Sequence, residues 1–154
     1  MSGTSKIKRD NERIKLNGEV FTPPQLVCDM LDKLPKETWY KGKTFLDPAC
    51  GNGNFLVEIL ERKLKRKHGP LDALRTIYGI ELMADNVEEC RIRILKIIAT
   101  HEEVTAEHIQ VVLTNIVCAD ALKYDMEFEE QKKPNYSETR KWINRVFRYA
   151  PESL

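Results

Sequence analysis

The sequence predicts an α/β fold, a short parallel sheet with helices on both faces. Three observations predict it. Apolar residues recur at helical spacing in several segments and in short unbroken runs between them. The two patterns alternate, helix then strand, which is the order that builds a parallel sheet. Each apolar run also leads into an acidic residue, Asp47, Glu81 or Asp120.

The elements follow in order. Thr22 is placed to cap a helix with proline at its first position, and Gln25 completes a capping box. Leu26, Val27, Met30, Leu31 and Leu34 form that helix's apolar stripe, and Pro35 stops it. Thr44-Phe45-Leu46 is a short strand that runs directly into Asp47-Pro48-Ala49-Cys50-Gly51-Asn52-Gly53-Asn54. Phe55, Leu56, Ile59, Leu60 and Leu64 mark the next helix, which frays at the basic run 63–67 and breaks at Gly69-Pro70. Ile77 to Ile80 is a buried strand ending at Glu81, and Val87 to Ile98 a helix of about four turns. A short helix over 106–113 leads to a third strand, Ile116-Val117-Cys118, ending at Ala119-Asp120.

After Tyr124 the pattern becomes polar. A last helix is predicted from a Ser137 cap, with Trp142, Ile143, Val146, Phe147 and Ala150 on the side that docks on the sheet. The organisation is therefore a basic tail over 1–17, a folded domain over 18–124, and a polar linker with an amphipathic helix over 125–154.

Composition narrows the class. At 154 residues with 42% hydrophobic side chains the chain supports one core. Its net charge of +1 neither demands nor excludes nucleic acid, because binding depends on clustering. Lys6, Lys8, Arg9, Arg13 and Lys15 do cluster, as a solvated tail would. Cys28, Cys50, Cys90 and Cys118 form no Cys-x-x-Cys pair, so they read as reduced thiols with no zinc site. The longest apolar runs are far too short to span a membrane, which points to the cytoplasm, or the nucleoid if DNA is the partner.

The chemistry centres on the glycine turn. Gly51 and Gly53 bring bare backbone to a helix N-terminus, where a ligand can approach closely. Alone, that pattern fits a plain strand-to-helix turn equally well. Glu81 adds weight, since an acid ending the second strand can accept both hydroxyls of a ribose. It lies 28 residues beyond Gly53, against a usual spacing of about 20. Asp47 suits a cationic amine, and Asp120 the exocyclic amine of an adenine. Three acids at three successive strand ends favour a nucleoside ligand.

The run Asp47 to Leu56 resembles motif I of the N6-adenine DNA methyltransferases, closest to the modification subunits of type I restriction systems. Glu19 to Pro24 resembles their motif X, Gly79-Ile80-Glu81-Leu82 their motif II, and Cys118 to Leu122 their motif III. The resemblance implies a Rossmann-like, S-adenosyl-L-methionine-dependent methyltransferase fold with a truncated sheet. It implies that Phe21, Thr22 and Pro23 contact the methionine part of the cofactor. Asp47, with backbone at Ala49, Gly51 and Gly53, would hold its amino and carboxylate ends. Glu81 would bind the ribose and Leu82 the adenine face, with Asp120 and the Ala121 backbone at the adenine amine.

One departure accompanies the match. In the family a fourth strand ends in Asn-Pro-Pro-Tyr or Asn-Pro-Pro-Phe, which holds the flipped adenine. These 154 residues contain no such turn, and Pro134-Asn135-Tyr136 reads as a loop. No catalytic residue and no metal ligand is assigned. The expectation is a cofactor-binding family member whose catalytic turn comes from a second methyltransferase subunit. The 137–150 segment would serve as the contact with that subunit or with a second copy. DNA would be met by the complete enzyme, without a membrane. A non-catalytic regulator or decoy, or a truncated methyltransferase, is the alternative.

Overall fold

Short apolar runs flanked by longer amphipathic segments give three strands and their connecting helices. The protein is described by a computed structural model over residues 21–128 and 136–147. In chain order these are α1 (Pro24–Asp32), a 3-10 turn (Lys36–Trp39), β1 (Phe45–Asp47), α2 (Asn54–Lys65) and α3 (Pro70–Leu74). Then follow β2 (Ile77–Glu81), α4 (Ala84–Ala99), α5 (Ala106–Asn115), β3 (Ile116–Cys118) and α6 (Tyr136–Phe147). The basic cluster at 6–15, the segment Glu19-Val20, Pro134-Asn135 and Ala150 lie outside the described residues.

The sheet has the order β1-β2-β3 with both pairs parallel. Phe45 pairs with Ile77 and Gly79 with Ile116, so the strands are in register, with β2 and β3 ending side by side at Glu81 and Cys118 and β1 ending earlier, opposite Gly79. Helices surround it, as in a truncated Rossmann-like methyltransferase fold. Gly79 lies under α2, where a Cβ would meet Leu56 at 2.7 Å and the Cys50 sulfur at 2.9 Å. That close approach lets α2 lie flat on β2. On the other side of β2, Tyr78 stacks on Phe128, with ring centroids 4.7 Å apart, and Phe128 on Tyr124 at 5.4 Å.

Leu56, Leu60, Ile77, Ile94, Ile98, Val112 and Ile116 fill the core between α2, α4, α5 and the sheet. Each contributes roughly 1.5–3 kcal/mol relative to exposure. Arg91 of α4 donates to the carbonyls of Leu113 and Ile116, fixing where α5 turns into β3. Burial pulls its pKa down, and the neighbouring Glu88 carboxylate opposes that pull. Lys63, fully buried, points to the opposite end of the sheet and donates to the Lys43 carbonyl (2.7 Å) and Thr76 Oγ1 (2.8 Å).

Four local expectations change. Thr22 does not cap α1: Pro23 holds the cap position, its carbonyl accepts from Val27 N at 3.0 Å, and Gln25 donates to Asp29 instead. Two consecutive prolines shift the start by one residue and carry the Thr22 hydroxyl past the orphan amides. α2 already ends at Lys65, followed by Lys67 at φ +66°, and Gly69-Pro70 opens α3 instead of breaking α2, because proline suits a first helical position. The segment from Ala106 continues to Asn115, begun by a Thr105–His108 capping box.

Helix α6 begins at Tyr136, leaving Ser137 inside its first turn, and docks on other helices rather than on the sheet. Trp142 is buried and its Nε1 donates to Glu88 Oε2 of α4 at 2.9 Å, while Arg145 donates to Glu88 Oε1 at 3.1 Å. Trp142 is thus turned inward against α4. Arg140, Lys141 and Asn144 remain exposed.

Candidate functional site

Parallel strands in step deliver their carboxyl ends to one edge, where open α/β sheets receive ligands. Asp47 is the last residue of β1 and Glu81 the last of β2. Because Asp47 pairs with Gly79, Glu81 stands two residues further along the same edge. Asp120 follows the end of β3 by two residues, and the Ala119 amide bonds to the Glu81 carbonyl at 3.0 Å.

The three acids share one local device. Asp47 Oδ1 accepts from the Ala49 amide at 3.1 Å, and Glu81 Oε1 from Met83 at 3.1 Å. Asp120 Oδ1 accepts from Leu122 at 3.0 Å. Each acid therefore fastens the loop that follows it with one oxygen. The second oxygen of each has no hydrogen bond among the described residues. Burial raises the Asp47 pKa, and the Ala49 amide partly offsets that rise.

The turn between β1 and α2 is built to expose backbone. The Cys50 amide donates to the Ile80 carbonyl at 2.9 Å, which ties the turn to β2. Gly51 and Gly53 then take φ of +55° and +96°, conformations an L side chain rarely adopts. A Cβ on Gly51 would lie 3.0 Å from two Phe21 ring carbons and 3.8 Å from Glu81 Oε2. Gly51 is thus a cradle with Phe21 on one side and Glu81 on the other. The Cys50 thiol beneath is pushed up by its hydrogen bond with Cys90, then by burial, then by the nearby charges of Cys90, Asp47 and Glu81.

The remaining foreseen residues lie on the segments beside this turn and on the loop after β3. The Thr22 carbonyl accepts from Asn54 Nδ2 at 2.8 Å, so the Phe21 to Pro23 segment is anchored to the first residue of α2. Leu82, beside Glu81, is 58% exposed, which leaves an apolar side chain open at the strand ends. Ala49 is exposed and Ala121, next to Asp120, half-buried. An apolar cavity of about 280 Å³ lies away from this edge, between α4, α5 and α6, lined by Leu95, Ile109, Trp142 and Val146.

Three contributors were not legible in the sequence. Asn54 grips the Thr22 carbonyl, Cys90 supports Gly53, and Arg93 donates to the turn from α4. Asn and Arg at those places read as ordinary solvated positions, and only tertiary packing aims them at the turn. Asn52 adds a buried Oδ1 that has no partner among the described residues, while its Nδ2 lies 3.4 Å from Glu89 Oε1.

Comparison with known proteins identifies a family. The family model for N-6 DNA methylase matches residues 8–149. The type II methyltransferase M.VspI of Vibrio sp. (strain 343) is 44% identical over 48 residues, 31% of this chain and 11% of that protein. The MjaIX methylase subunit, a type I restriction enzyme component of Methanocaldococcus jannaschii, is 41% identical over 68 residues, 42% of this chain and 11% of that protein. The matched stretch thus spans 11% of the length of each relative. No solved structure matches the chain. A family model that spans residues 8–149 of the 154 leads to one conclusion: the chain belongs to the N-6 DNA methylase family.

Proposed function

We propose that this chain binds S-adenosyl-L-methionine and acts in N6-adenine methylation of DNA in a restriction-modification system, with the catalytic turn supplied by a second polypeptide. The observation that carries the cofactor reading is the Gly51 cradle, flanked by Phe21 and Glu81, with the half-buried carboxylate of Asp47 at the end of β1 just before the turn. A partly desolvated carboxylate is costly without a positive partner. The methionine ammonium and the sulfonium centre of this cofactor are such partners.

In this reading Asp47 holds the ammonium, and the exposed backbone at Ala49, Gly51 and Gly53 holds the carboxylate end. Phe21, Thr22 and Pro23 close over the methionine part. Glu81 uses its second oxygen for the ribose hydroxyls. Leu82 packs on the adenine face, and Asp120 with the Ala121 backbone meets the adenine amine. The bound cofactor supplies an electrophilic methyl group; the residues above orient it and keep water from its methionine end. The protein would work in the cytoplasm, on DNA.

The second polypeptide is invoked because one relative, the MjaIX protein, is by name a methylase subunit of a type I restriction enzyme. The second reading is a cofactor-binding regulator that transfers nothing. Isotope-labelled methyl transfer to adenine in DNA separates them. Transfer by the chain together with a co-purifying methyltransferase subunit, and none by the chain alone, supports the first reading. No transfer under either condition, with cofactor still bound, supports the second.

A further inference from the structure

Two parts of the candidate pocket come from distant stretches of sequence, the Phe21 to Pro23 segment and the glycine turn. Three hydrogen bonds join them through one cation. Arg93 Nη1, reaching out from α4, donates to the Asn52 carbonyl at 2.8 Å and to Asn54 Oδ1 at 2.9 Å. Asn54 Nδ2 donates in turn to the Thr22 carbonyl at 2.8 Å. Half-buried Arg93 has no carboxylate partner among the described residues, so its guanidinium is committed to neutral acceptors of the turn.

We propose that Arg93 is a positioning residue that locks the Phe21 to Pro23 segment and the glycine turn into one unit, so that cofactor binding needs no reordering of either. The proposal rests on the cofactor reading above for its functional consequence, though not for the coupling itself. The chain of contacts is directional. Arg93 orients the Asn54 amide by occupying its oxygen, and only an oriented amide presents its nitrogen to Thr22. Phe21, one residue back, is thereby held against Gly51. Without the guanidinium the Asn54 side chain is free to rotate, and both walls of the cradle loosen together. Preorganised walls cost less ordering on binding, and affinity rises accordingly.

The test compares the purified chain with Arg93→Met, Arg93→Lys and Asn54→Ser. Amide hydrogen exchange without cofactor reads the coupling directly. Arg93→Met should speed exchange in 22–27 and 50–54 together while leaving β2 and α4 protected, and Asn54→Ser should reproduce the effect at 22–27. Calorimetry with S-adenosylmethionine should show affinity weaker by about 5- to 30-fold for Arg93→Met, the scale of one or two lost hydrogen bonds. Arg93→Lys should recover part of it, because both donated bonds come from a single nitrogen. The double variant should be no worse than Arg93→Met, since the two side chains act in series. Unchanged exchange at 22–27 in both Arg93→Met and Asn54→Ser overturns the proposal. A parent chain that binds no cofactor overturns the functional reading instead, while the exchange result still decides the coupling. Should Arg93→Met not fold, exchange at 22–27 in Asn54→Ser decides the coupling alone.

Discussion

A side chain at Gly53 would meet the Cys90 sulfur at 2.6 Å, so the turn that forms the cradle is pressed directly onto α4. Cys90 is fully buried and has no room to retreat. Gly53→Ala must bear this overlap and a φ of +96° as well. Crowding and backbone strain together predict a loss of about 2–4 kcal/mol in unfolding free energy. Chemical denaturation measures it, and Cys90→Ala in the same background should restore part of the loss.

Asp47 sits where burial disfavours its charge, so its role in binding opposes its role in stability. The raised pKa means that the folded protein holds the proton more tightly than the unfolded chain does. The carboxylate therefore costs stability above that pKa, and the cost fades as pH falls through it. Asp47→Asn keeps an oxygen for the Ala49 amide and removes the charge. Its thermal midpoint at pH 7 should equal or exceed the parent's, while cofactor affinity drops by at least tenfold. In the parent, affinity should weaken as pH falls toward the raised pKa of Asp47, and the variant should lack that dependence.

Lys63 gives a second pH signature, at the other end of the sheet. Burial lowers its pKa from 10.5 to about 8, with only neutral oxygens around its ammonium. Between those values the unfolded chain binds more protons than the folded one, so stability rises with pH across that window. The full span is worth roughly 3 kcal/mol at 1.36 kcal/mol per unit. Relative to Lys63→Met, which keeps the buried stem and cannot titrate, the parent should gain stability between pH 8 and 10. Parallel pH profiles for the two proteins would contradict the assignment.

Glu88 gathers three donors, from Arg91 (3.2 Å), Trp142 (2.9 Å) and Arg145 (3.1 Å). It joins α6 to the body of the fold. Glu88→Ala should cost about 1–3 kcal/mol by leaving Trp142 Nε1 without its acceptor. Exchange should quicken over 136–147 first. Cofactor affinity should stay within about twofold, because none of these contacts reaches the strand-end edge. A large loss of affinity would mean that α6 and the cradle are coupled.

The sheet and its acids were readable from sequence because both follow from periodicity and topology. Short apolar runs between helical stripes fix parallel strands, and parallel strands put Asp47, Glu81 and Asp120 at one edge whatever the loops do. The departures occur where a residue has two uses. Proline at 70 reads as a helix breaker but begins a helix, the preceding one having ended at Lys65. Proline at 23 takes the cap position from Thr22. Amphipathicity told that α6 buries Trp142 but not against which surface, and α4 with its Glu88 acceptor proved the better match. Arg93 was invisible for a related reason. A cation on a helix ordinarily faces water, and only the packing of α4 behind the turn gives it carbonyl and amide acceptors.

The most direct test of the cofactor pocket is an isothermal titration of S-adenosylmethionine into the purified chain, its Asp47→Asn variant and its Glu81→Ala variant. The parent should bind one-to-one. Asp47→Asn should lose at least tenfold in affinity, and Glu81→Ala should lose about 1–3 kcal/mol, the scale of charge-assisted hydrogen bonds. A parent that gives no heat and no saturation, or two variants that bind as well as it does, would contradict the pocket built from these strand-end acids.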